Sequence, residues 1–395
     1  LSRALAERGY QTHLFFVGDP QLPAHESLLE GRLNLHRWSQ WISRFYPMGV
    51  YSGEDDKVAD LNRSLPDALI RDFIRPAIER GNQVVVIGEE WHLAHAMTLL
   101  SDGLYFAGLR ERCLLLWNAN NHFSFHRINW GTLGFTTQLM TVSRYMKHIM
   151  WDWGVNPIVV PNGIPGSMIS RVSQAQVRAL RAAVNVPAFL FKIGRFSPDK
   201  RWHQAIAAVA QLKERGTPVK LLMRGGMEPF GGEVMAFAGQ QRLRVTPLST
   251  RVDDVAGLAR LLKENSDADI WNLTAFLPDE LLPVIYASAT ATLANSGHEP
   301  FGLVGLEAMA SGGIAFVGAT GEEYAEAFTN AIVIETDDAS EVVAYVTNLA
   351  EHPENARNMR IAAQRTARAY TWQRVIDILL RRLEFVAIKQ GLAAP

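Results

Sequence analysis

Short apolar runs alternate along this chain with longer stretches whose apolar residues recur at helical spacing. Thr12–Val17, Val84–Ile87, Cys113–Leu116, Ala188–Ile193 and Val219–Met223 each read as a strand, and several empty into glycine-bearing turns. Strand and helix in alternation predict parallel α/β sheets. The pattern falls into units. The first covers residues 1–166, and a linker with a helix carrying Ser173 to Ala183 leads into the second, over 167–370, whose first strand opens near Val186. Tyr370-Thr-Trp372 starts a final helix over 371–395, and Met227 to Asn272 reads as an inserted or extended helical segment.

Composition narrows the picture without fixing a function. A chain of 395 residues, 48% of them hydrophobic, can bury the cores of two ordinary domains. Its net charge of −1 supplies no bulk attraction to nucleic acid or anionic lipid. The single cysteine, Cys113, lies in an apolar strand and cannot form an internal disulfide, which points to a reducing, cytoplasmic setting. No apolar run approaches the ~20 residues that span a bilayer.

Candidate chemistry concentrates in Ser296-Gly-His-Glu-Pro-Phe-Gly-Leu-Val-Gly-Leu-Glu-Ala-Met-Ala-Ser-Gly-Gly313. Pro300 suits a first helical position and Gly312-Gly313 a left-handed exit, so the segment predicts a short helix from about Phe301 to Ser311. The first amides of such a helix have no internal acceptor and lie at its positive pole, so the backbone of Phe301, Gly302 and Leu303 offers an anion site. Glu307 leans back toward that mouth, where its carboxylate would accept hydrogen bonds from sugar hydroxyls. Taken alone, the spacing of Glu299 and Glu307 also fits a plain surface helix.

A second candidate lies upstream. Ala188–Ile193 empties into Gly194-Arg195-Phe-Ser-Pro-Asp-Lys200, a turn bracketed by two cations. Arg195 can present a bidentate fork and Lys200 a mobile point charge to one diphosphate. Hydrogen bonds to charged groups are worth roughly 1.5–3 kcal/mol, against about 0.3–1 kcal/mol for a helix-end field, so these cations would dominate phosphate affinity. Val219–Met223 runs into Arg224-Gly225-Gly226, a similar strand-to-glycine turn.

In order and spacing these motifs resemble the retaining glycosyltransferases of family 4. Gly194-Arg195-Phe196 with Lys200, the Glu299-x7-Glu307 pair with Ala308-Met-Ala-Ser-Gly312, the Phe276–Tyr286 segment, Thr141-Val-Ser-Arg144 and Val160-Pro-Asn-Gly-Ile164 all match. The resemblance implies the GT-B fold, α/β with two Rossmann-like parallel-sheet domains facing an interdomain cleft. It implies a metal-independent hexosyltransferase without cofactor, transferring sugar from a UDP- or GDP-sugar, with UDP-glucose and GDP-mannose as candidates, to a hydroxyl acceptor that is a glycan, lipid carrier or small molecule. Arg195 and Lys200 would hold the diphosphate with the amides of Phe301, Gly302 and Leu303. Glu307 would hold the ribose and Glu299 the transferred sugar, with Gly194 and Gly225 lining the site. The final helix would pack back on the first domain.

The first domain departs from the family. Gly88-Glu-Glu-Trp-His92 resembles an Asp-Trp-His segment that some members set beside the sugar, and a capping role fits His92 equally. Asparagines, Asn118 and Asn120, occupy the position where many members carry a histidine, with His122 and His126 just beyond; amides can bind hydroxyls but cannot act as bases. Leu1–Tyr10 and Thr12–Val17 match the family's first helix and second strand, so the first strand and glycine-rich loop are missing, as expected of an N-terminally shortened chain. Ser143–Trp153 reads either as a half-buried helix or as a basic, aromatic face for peripheral membrane contact. A GT-B phosphorylase, a nucleotide-sugar epimerase and a catalytically silent nucleotide- or glycan-binding protein are the competing functions.

Overall fold

The computed structural model describes residues 1–49, 51–170 and 172–392; residues 393–395 of the expected final segment lie outside it. Contacts divide the chain into two compact units, one formed by Leu1–Pro161 with the C-terminal segment from Trp372, the other by Asn162–Thr371. The strands are β1 (Thr12–Val17), β2 (His25–Leu28), β3 (Leu33–Trp38), β4 (Val84–Glu89), β5 (Cys113–Ala119), β6 (Gln138–Thr141), β7 (Ile158–Val159), β8 (Ala188–Ile193), β9 (Val219–Arg224), β10 (Val245–Leu248), β11 (Ile270–Leu273), β12 (Ala291–Ala294), β13 (Ala315–Val317) and β14 (Ile332–Val333).

In the second unit seven strands form one sheet in the order β10-β11-β9-β8-β12-β13-β14, every pair parallel. Both faces are covered, which is why β8 and β12 read as near-continuous apolar runs rather than alternating ones. Leu190, Leu221, Leu293 and Phe316 meet Ala205, Ile206 and Val209 of the helix Trp202–Glu214 and Val342, Val343 and Val346 of the helix Ala339–Glu351.

The reading of 227–272 as a helical segment is corrected here. Two helices, Phe230–Gln240 and Val255–Glu264, alternate with β10 and β11, and residues 245–248 pair with 270–273 at the sheet's edge. β10 is only four residues long and carries Pro247, which an edge strand tolerates.

The first unit holds two sheets. β4-β5-β6-β7 is all parallel; in the other, β1 pairs with β3 in parallel and β2 with β3 antiparallel. Among the described residues β1 pairs only with β3 and β4 only with β5, so the backbone ladder is interrupted between them. The helix Trp372–Lys389 buries Val375, Leu379 and Val386 against Leu114, Leu116, Met140 and Val160. Cys113 is buried, and burial pushes its thiol up to about 11. In the helix Arg144–Trp151, Ser143 caps the Met146 amide while Met146 and Met150 turn inward. No helix among the described residues is long and apolar enough to cross a membrane.

Candidate active site

In the second unit, loops at the C-terminal ends of β8, β12 and β13 carry the candidate chemistry, the end of a parallel sheet where ligands collect. After β8 the chain turns at Gly194, and the Trp202 indole donates to the Arg195 carbonyl (2.8 Å). Phe196 is buried, its amide donating to a Glu228 carboxylate oxygen (3.0 Å). A Cβ on Gly225 would lie 1.9 Å from the Phe196 ring, so this glycine is required by packing. Arg195 is exposed, and its guanidinium has no partner among the described residues. Lys200 closes a single 3₁₀ turn and extends its ammonium to 2.5 Å from the Glu299 carboxylate and 3.5 Å from that of Asp199.

Glu299 is held from several sides. The Ser296 hydroxyl donates to its carboxylate (3.0 Å). Its amide donates to the Thr320 hydroxyl (2.9 Å), and its carbonyl accepts from the Gly321 amide (2.8 Å). Backbone from the β13 loop therefore fixes the residue while its side chain meets the cation of the β8 loop.

The helix begins later than expected, at Leu303, and ends at Ala310. Pro300 is not its first residue, because a left-handed turn at Gly302 (φ 80°) intervenes and the Thr320 and Gly321 contacts hold Glu299 outside the helix. A Cβ on Gly302 would sit 2.5 Å from Glu322 Cγ. The Tyr324 hydroxyl donates to the Gly302 carbonyl. The Phe301 ring is core, packed against Tyr324 and Tyr370, so only its backbone could serve a ligand. Leu303 is partly exposed, and its amide opens the first turn of the helix. One turn on, Glu307 accepts from the Tyr286 hydroxyl (3.0 Å); burial pushes its carboxyl up, and this bond opposes the shift.

Three residues here escaped the sequence reading. Thr320 is one. Glu322 is another: its buried carboxyl is pushed up to about 8 by burial and, less strongly, by the neighbouring Glu299 charge, and one oxygen accepts from the Thr320 amide (3.2 Å) and hydroxyl (3.1 Å). Neither had a spacing signal. Lys192, buried within β8, did have one, as a charge interrupting a strand covered on both faces.

The first unit gathers its candidates at the ends of β4 and β5. Register pairs Glu89 with Asn118. The side-chain amides of Asn118 (2.9 Å) and Asn120 (2.6 Å) both donate to one Glu89 carboxylate oxygen, and the Asn120 backbone amide donates to Glu90 (2.9 Å). Burial pushes Glu90 up to about 7. Its backbone adopts φ 67°, and the Trp117 indole donates to its carbonyl (2.9 Å). His92 lies on a short turn with Nε2 2.9 Å from Glu54 Oε1. The His122 imidazole is exposed and has no hydrogen-bond partner among the described residues.

A family profile described as Glycosyl transferases group 1 matches residues 178–366, the span holding Arg195, Lys200, Glu299 and Glu307. Within that span, the second unit is similar to this family. The chain is similar to the GDP-mannose-dependent alpha-(1-6)-phosphatidylinositol dimannoside mannosyltransferase of Mycobacterium tuberculosis, 28% identical over 245 residues, which are 59% of this chain and 53% of that protein. The chain thus spans about half the length of this curated relative. In fold, the chain is similar to sucrose-phosphate synthase from Thermosynechococcus elongatus (TM-score 0.66, 18% identity, covering 98% of this chain and 92% of that one). It is likewise similar to the catalytic domain of starch synthase IV from Arabidopsis thaliana bound to ADP and acarbose (TM-score 0.67, 14% identity, covering 98% and 94%). Its two parallel-sheet α/β units are those of the GT-B architecture.

Proposed function

We propose that this chain is a retaining hexosyltransferase that moves a sugar from a nucleoside-diphosphate sugar to a hydroxyl acceptor without a metal ion. The observation that carries the reading is the meeting of Lys200 with Glu299 beside the start of the Leu303–Ala310 helix, with Arg195 unpaired on the same loop. Arg195, Lys200 and the opening amides of that helix receive the diphosphate and stabilise its charge as it leaves. Glu299 then exchanges part of its contact with Lys200 for the sugar's hydroxyls, and Glu307, oriented by Tyr286, takes the ribose. The bond between sugar C1 and phosphate oxygen breaks, the acceptor oxygen bonds C1 on the same face, and the acceptor's proton passes to the leaving diphosphate. Two cations and a helix pole supply the positive charge that a divalent ion supplies elsewhere, so chelator should leave turnover intact. GDP-mannose is the first donor to test, on the strength of the mycobacterial relative. UDP-glucose is the second.

The test offers both donors with a panel of sugar, inositol and lipid-linked hydroxyl acceptors and follows product by mass and anomeric configuration. A glycoside with the donor's own configuration, formed equally in EDTA, is the expected result. A C2-inverted sugar, phosphate-dependent cleavage, or donor binding with no turnover on any acceptor would defeat the reading in favour of an epimerase, a phosphorylase or a silent binder respectively.

A further inference from the structure

We infer that Lys192 is a positioning residue that ties the β8 loop to the β12 loop and thereby sets Glu299 for donor binding; the inference rests on the nucleotide-sugar reading above. Lys192 is 2% exposed, in the middle of the second unit's sheet. Its ammonium donates to the Leu293 carbonyl (3.0 Å) and to Asn295 Oδ1 (2.5 Å) and lies 5.1 Å over the Trp202 ring. Each contact leads to the site. Trp202 holds the Arg195 carbonyl. Asn295 adjoins Ser296, which donates to Glu299. The Asn295 amide in turn donates to Gln204 Oε1 (2.6 Å), and Gln204 donates to the carbonyls of Thr336 (2.8 Å) and Asp338 (3.3 Å). One ammonium orders this chain, because its donation to Asn295 Oδ1 decides which way the Asn295 amide faces.

The ammonium has no carboxylate bonded to it among the described residues. The charged groups facing it are Lys200 and Arg201, which oppose its charge, and Asp199 and Glu299, which favour it; Arg201 is itself paired with Asp337 (2.7 Å). Burial, with those two cations, brings Lys192 down to about 7. It therefore carries its charge at pH 6 and has shed it at pH 8.5. The neutral amine keeps two hydrogens for its two acceptors but donates more weakly, so its hold on Asn295 Oδ1 loosens and the β8 and β12 loops lose a buried positive charge.

The experiment measures binding of GDP-mannose and UDP-glucose by calorimetry between pH 6 and 8.5, where their diphosphate charge is constant, on wild type, Lys192→Met and Lys192→Arg. Wild-type affinity should fall roughly tenfold over that range, the scale of one charge-assisted hydrogen bond. Lys192→Met should bind about tenfold more weakly at pH 6 and show a flat profile, while Lys192→Arg should hold the low-pH affinity throughout. A Lys192→Met profile as steep as wild type would assign the pH dependence to another group, Glu322 foremost, and overturn the inference. So would a flat wild-type profile, which needs no variant to fold. Wild type that binds neither donor at any pH defeats the nucleotide-sugar reading and this inference with it, whereas pH-independent binding defeats only the latter.

Discussion

The two units treat the polar residues at their strand ends in opposite ways. In the first, the carboxylates and amides at the ends of β4 and β5 are spent on each other, Glu89 accepting from Asn118 and Asn120 and Glu90 from the Asn120 backbone. In the second, Arg195 has no partner among the described residues, and Lys200 has carboxylates it can trade for phosphate. A ligand seat needs hydrogen-bonding capacity that the fold has not consumed, since a buried group already satisfied loses as much as it gains by switching partners. By that measure the second unit keeps hydrogen-bonding capacity for an anionic ligand, and the polar cluster of the first is satisfied internally.

Removing the two cations should break this contrast most severely. The double variant Arg195→Ala/Lys200→Ala forfeits two contacts to a charged ligand, and sugar-nucleotide affinity should fall at least about 100-fold. Circular dichroism should stay that of the parent, because Arg195 is exposed and Lys200 lies on a surface loop. Unchanged affinity in a folded double variant would remove these residues from the donor site.

The converse holds at the spent cluster. Asn118→Ala leaves the buried Glu89 carboxylate with one fewer donor, and the unfolding free energy should drop by about 1–3 kcal/mol. Urea denaturation reads this directly. A loss below about 0.5 kcal/mol would mean that water replaces the amide there, and that the cluster is less closed than its hydrogen bonds imply.

The same contrast explains what could be read from the sequence. The parallel α/β class, the two units and the positions of the second unit's cations and carboxylates at strand ends and a helix start were legible, because each sits at a fixed offset from an apolar strand or a glycine turn. The helix start was misplaced by two residues because Pro300 was weighed locally, whereas the Gly302 turn depends on Thr320, Glu322 and Tyr324, about twenty positions later. Lys192 was passed over because an apolar run was read as uniform. In the first unit, Asn118 and Asn120 were recognised as polar residues at a strand end, but their engagement by Glu89 depends on the β4–β5 register, which no spacing encodes. Motifs report residues that act alone; networks appear only once strands are paired.

The finest test concerns His92, for which sugar contact and a capping role fit the sequence equally and whose ring meets Glu54. The two side chains are 34% and 27% exposed, so water screens the pair, and the bond should contribute under about 1 kcal/mol. Glu54→Gln keeps an acceptor at nearly the same place while removing the charge, and should shift the unfolding midpoint only slightly. What it should alter is the freedom of the imidazole to turn. If His92 serves the sugar, releasing it from Glu54 changes KM for the donor by a few-fold while leaving stability nearly constant. If His92 is a structural cap, stability falls and KM does not move. The ratio of the two effects, rather than either alone, decides whether His92 serves the ligand or only the fold.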